Sequence, residues 1–183
     1  MKLINKILLA VLIVGISTAY SQIGDINSAN HHVVISIPTI ALLDIESASS
    51  NDITLKMEAP TEAGVGFADQ INNDLWLNVT SIVAASGKRN ILASINAAPN
   101  GIDLKVVSAA DAGLGAGELG TAESEFILSS TPTNLVTGIK SGYTADGSGS
   151  GYNLKYTATP NTSAFGDIES NDTDITVTYT LSL

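Results

Sequence analysis

The sequence predicts an all-β protein, an antiparallel β-sandwich of about eight or nine strands in a single domain. Three observations predict it. Apolar and polar side chains alternate with a period of two in one run after another. Clusters of Gly, Asn, Asp, Ser and Pro separate those runs. Beyond the first 21 residues, no long stretch keeps the helical period.

The opening residues read as a leader rather than as fold. Lys2 and Lys6 precede the apolar run Ile7–Ile16, and Ser17, Thr18 and Ala19 follow it. The run is too short to span a membrane, which takes about 20 apolar residues. Its basic, apolar, small-residue order is that of a secretory signal. Ala19 and Ser21 place the cut before Gln22, with a cut after Ala19 as the alternative; the first gives a signal peptide at 1–21 and one domain at 22–183. No Cys follows the run to carry a lipid. The expected location is therefore periplasm, cell surface or extracellular space.

The first strand is expected at Val33–Ile45, with a bend or break at Pro38, which has no N–H to give a ladder. Ile53, Leu55, Met57 and Ala59 alternate with polar neighbours and predict a second strand. Leu75, Leu77 and Val79 predict a third, preceded by a turn at Asn72-Asn73-Asp74. Ile91–Ala97 and Ile102–Val107 follow, joined by Pro99-Asn100-Gly101, a tight-turn signal because Asn and Gly tolerate positive φ. Residues 111–124 contain four glycines and read as a loop. Short strands are expected at Glu125–Ser130 and Leu135–Ile139, then a longer one through Tyr152, Leu154, Tyr156 and Ala158. Ile175, Val177, Tyr179 and Leu181 close the series, and their regularity implies that this last strand packs into the sandwich.

Composition narrows the function. The formal net charge is −10, and the exported part is more acidic still, since Lys2 and Lys6 leave with the leader. Such a surface repels nucleic acid and anionic membrane, so neither is expected as a partner. No second apolar run long enough to span a bilayer follows the leader, and no membrane insertion is expected. The absence of Cys excludes disulfides, thiolate nucleophiles and Cys-based metal sites.

Several motifs have the letters of a site without its context. Gly115-Ala116-Gly117-Glu118-Leu119-Gly120 satisfies GxGxxG, but it runs toward a strand rather than a helix that could hold a pyrophosphate. His31 and His32 are adjacent, so on a strand they would point to opposite faces. Asp146–Gly151 is calcium-loop-like, yet Thr157 stands where an EF-hand needs Glu. Glu169, Asn171, Asp172 and Asp174 make a second oxygen-rich turn. Solvated turns without a metal or other cofactor are expected at both, with a structural Ca²⁺ as the alternative. Three N-glycosylation sequons begin at Asn78, Asn161 and Asn171. No GxSxG, HExxH or Ser/His/Asp set points to catalysis, so no catalytic residue is assigned. The one ligand-binding candidate is the outer face of the 75–80 strand. There Trp76, the sole tryptophan, alternates toward the same side as Asn78 and Thr80, an aromatic face beside amide and hydroxyl groups.

Residues 31–45, "HHVVISIPTIALLDI", residues 174–183, "DITVTYTLSL", and residues 75–82, "LWLNVTSI", resemble strands of fimbrial or pilin-type subunits and related small secreted bacterial surface proteins. The resemblance implies an immunoglobulin-like sandwich in a surface structure or adhesin. The family's disulfide is missing, and "QIGDINSAN" at 22–30 lacks the alternation of a donated strand. The expectation is a non-catalytic structural or adhesive surface protein presenting loops 60–74, 109–124 and 141–151. Its partners would be other surface proteins or further copies of itself. A glycan-binding module centred on Trp76 is the alternative.

Overall fold

The structure is a computed structural model that describes residues 28–182. The leader assigned to 1–21 lies outside the described residues. Contacts divide the chain into two units, Met1–Ser36 and Ile37–Leu183. Of the first, residues 28–36 are described; they form no regular secondary structure and are exposed.

The second unit is all-β. In chain order its strands are β1 (Ile40–Ser47), β2 (Gln70–Ile82), β3 (Arg89–Ile95), β4 (Ile102–Asp111), β5 (Ala116–Gly117), β6 (Thr121–Ala122), β7 (Phe126–Ile127), β8 (Thr133–Ile139), β9 (Gly142–Tyr143), β10 (Tyr152–Pro160) and β11 (Val177–Leu181). One 3-10 turn, Phe165–Asp167, interrupts the run between β10 and β11. A seven-stranded sheet has the order β5-β9-β2-β10-β4-β7, with β1 paired along β2. A four-stranded sheet has the order β11-β3-β8-β6. Every ladder is antiparallel. Two antiparallel sheets around one shared apolar cluster are consistent with a β-sandwich.

Alternation explains the core directly. Leu75, Leu77 and Val79 of β2, Leu154 and Tyr156 of β10, and Leu104 and Val106 of β4 turn inward from the larger sheet. Ile91, Ala93 and Ile95 of β3 with Leu135 and Ile139 of β8 meet them from the smaller one. The two sheets also share a polar contact. The Tyr156 hydroxyl on β10 hydrogen-bonds the Tyr179 hydroxyl on β11. This joins the sheets through a bond that an apolar interior strengthens.

Arg89 and Ser182 secure the last strand. Val177–Leu181 runs along Ile91–Ile95 of β3 in unbroken register. Beyond it the Ser182 Oγ accepts from the Asn90 N–H at 2.7 Å, and the Ser182 N–H donates to the Asn90 carbonyl at 2.8 Å. The buried Arg89 guanidinium donates to the Ser182 carbonyl at 3.1 Å. The expected terminal strand therefore packs as its alternation requires.

Four expectations change. The strand read at Val33–Ile45 begins only at Ile40; Pro38 and the extended residue before it cut it off. Ile53 and Leu55 do pack against the core and Met57 is half-buried, but residues 52–59 join no ladder. Asn72-Asn73-Asp74 is no turn. It lies inside β2, where the β10 register jumps from Leu154↔Leu75 to Tyr156↔Asn72 and the Asp74 N–H donates to Asn72 Oδ1 at 3.1 Å. The turn-forming residues thus build a bulge. Finally, the glycine-rich 111–124 segment contributes the short strands β5 and β6 rather than a plain loop. At Asn100-Gly101 the tight turn forms as expected, with Gly101 at φ +69°.

Burial raises the pKa of both paired tyrosines. Desolvation pushes Tyr156 up to about 12, even though the hydrogen bond from Tyr179 pulls the other way. Desolvation, then the neighbouring Tyr156, raises Tyr179 further. Both folded values lie above the ordinary value of 10.0. Their contribution is therefore complete below pH 10 and is lost as pH rises from there through the folded values, since the unfolded chain ionises first. Urea denaturation should show stability falling between about pH 10 and 12. Tyr179→Phe should flatten that fall and cost about 1–2 kcal/mol at neutral pH by leaving the Tyr156 hydroxyl without its partner.

Candidate functional site

β2 places the three residues singled out from the sequence, but not on one open face. Trp76 is half-buried between Glu46 of β1 and Asn153 of β10. Thr80 is half-buried beside Leu42 and Tyr143. Asn78, between them, is only 6% exposed. Its Nδ2 donates to the Gly147 carbonyl at 3.2 Å, which places it beneath the loop at 144–151. That carboxamide is engaged internally, and its Oδ1 is buried without a partner.

The loop over Asn78 has an evident local logic. Thr144 is fully buried; its Oγ1 accepts from the Val79 N–H at 3.0 Å and donates to the Ala145 carbonyl at 2.9 Å. The Thr144 N–H donates to the Val79 carbonyl at 3.0 Å. Ser150 closes the other end, donating from Oγ to the Asp146 carbonyl and from N–H to the Gly147 carbonyl. Gly151, at φ +73°, lies against the Leu77 carbonyl where an added Cβ would collide. The sequence that resembles a calcium loop thus closes on its own hydrogen bonds, with Asp146 facing solvent. Among the described residues, no group of three or more His, Cys, Asp and Glu is arranged to hold a metal ion.

The remaining motifs are dispersed. Gly115 and Gly117 pack against the backbone of Tyr143 and Ser141 at the β5–β9 ladder, and Gly120 against Thr137. The GxGxxG letters therefore serve strand packing. His31 and His32 are exposed. Asn171, Asp172 and Asp174 are exposed before β11.

Two features lacked a site signal in the sequence. The first is an apolar segment left uncovered. Val33, Val34, Ile35 and Ile37 are between 72% and 89% exposed and pair with no strand. Their β-branched side chains are strand formers, so the signal was read as a strand, but its solvent exposure was not legible. The second is a cleft of about 310 Å³ lined by Gly66, Phe67, Asp69, Thr159, Pro160, Thr162 and Phe165. Its two phenyl rings stack with centroids 6.1 Å apart. One comes from the irregular segment before β2 and the other from the 3-10 turn about 98 residues later, where no periodicity could have linked them.

Gly151→Ala should lower stability by roughly 2–4 kcal/mol, combining positive-φ strain with the collision at Leu77. Gly147→Ala has the same φ problem but open space around it. It should cost only about 1 kcal/mol. Equal losses in thermal or urea melts would show that the loop does not rest on β2 through Gly151.

No family model, curated protein or solved structure matches this chain.

Proposed function

We propose that this chain is a non-catalytic structural or adhesive protein, secreted or held at the cell surface, with an immunoglobulin-like sandwich of the fimbrial type. It acts by associating with neighbouring surface proteins, further copies of itself included. The observation that carries this reading is the uncovered segment Val33–Ile37. Four large apolar side chains in solvent are a liability unless something covers them. Among the described residues the segment joins no ladder, and strand addition is a recognition mode that pairs such a segment with an open edge. Among the described residues open edges exist: β1 pairs with β2 alone, and β11 with β3 alone. The acidic surface keeps separate copies soluble until such pairing forms.

The test is association of the processed chain measured by sedimentation across a wide concentration range. Ile35→Asp should weaken association by about tenfold or more, because a charge would have to enter the new interface. It should leave the melting temperature nearly unchanged, since exposed substitutions alter stability by about 0.5 kcal/mol or less. A chain that stays monomeric throughout and does not label intact cells would overturn the reading.

A further inference from the structure

Among the described residues, Asp69 supplies the only charged side chain lining the Phe67–Phe165 cleft. Among the described residues, no Lys or Arg pairs with it; the ion pairs there join Lys56 to Glu58, Lys140 to Glu118 and Lys155 to Glu125. Phe165 is 42% exposed and offers ring surface to solvent. Gly66 lies beside that ring: a Cβ in its place would make an ordinary contact with Phe165 Cε2 at 3.7 Å. Thr162 and Thr159 line the cleft beside Pro160.

We propose that this cleft binds a small organic cation with an apolar body, of the quaternary alkylammonium class. The faces of phenyl rings attract a positive head through their quadrupole, and the alkyl groups around that head fill apolar space. The Asp69 carboxylate adds direct Coulomb attraction, and the net charge of −10 steers cations toward the chain. An anionic ligand meets only repulsion here. A neutral apolar ligand would strip water from Asp69 and give nothing in exchange. The volume lies at the lower end of small-molecule sites, which suits a head group rather than a polymer. Because the site is open, affinity is expected in the millimolar range, about 4 kcal/mol.

The experiment is titration of the folded protein with choline, and in parallel with 3,3-dimethylbutan-1-ol, its uncharged isostere, followed by amide chemical shifts. Choline should produce saturable shifts confined to Gly66, Phe67, Asp69, Thr162 and Phe165. The neutral isostere should bind about tenfold more weakly or not at all. Asp69→Asn should weaken choline about threefold or more while the spectrum elsewhere is unchanged, and Phe165→Ala should abolish saturation. Should Phe165→Ala disturb the fold, the Asp69→Asn result and the isostere comparison decide alone. Equal binding of choline and its isostere would overturn the proposal. So would non-saturating shifts spread over acidic residues, or saturable binding of a neutral hexose where choline has no effect. The residues that line this cleft lie between Gly66 and Phe165, so Ile35→Asp should leave choline binding intact, and failure of either proposal leaves the other standing.

Discussion

Alternation along β2 constrains everything else in this protein. Leu75, Leu77 and Val79 face the shared interior, and the residues between them must face outward. A shift of one residue would expose that row and bury Trp76, Asn78 and Thr80 in its place. β2 also carries the most pairing, with β1 along one stretch, β10 along another and β9 near its end. With no Cys available for a disulfide, this register must be held by packing and ladders alone. Two devices reinforce it. The Asn72–Asp74 bulge resets the β10 register, and the loop anchored by Thr144 and Gly151 seals the outer face over Asn78.

The interior is not wholly apolar, and its polar groups mark joints between elements. The tyrosine hydroxyl pair ties β10 to β11, and the Tyr152 hydroxyl donates to the Leu119 carbonyl on the glycine-rich segment. Arg89 ties the start of β3 to the residue after β11. Each joint lies where ladders end or sheets face one another. Directional bonds there specify one alignment where dispersion alone would tolerate several.

The core was legible because its signal is local: β2, β3, β4, β10 and β11 each show the period of two that a half-buried strand requires, whereas in β8 adjacent Leu135 and Val136 are both buried. What escaped was non-local. Residues 33–39 have the composition of a strand, and composition does not reveal whether a partner strand exists. Residues 52–59 alternate correctly and bury one face, yet meet no ladder. Asn72-Asn73-Asp74 carries the chemistry of a turn, and the flanking strand turned it into a bulge. Of the candidate site, Trp76 and Thr80 lie on the outer side of β2 as alternation dictates, whereas the burial of Asn78 depends on a loop almost seventy residues away. The Phe67–Phe165 stack depends on the same kind of distant closure.

The position of β11 has a kinetic consequence. Its partner β3 precedes it by about 80 residues, so during synthesis β3 keeps a naked edge until nearly the whole domain has emerged. Contacts of such long range slow folding. A chain that cannot close early stays threadable through a narrow conduit, and a product cut short before Val177 is the species most prone to pair wrongly with its own kind.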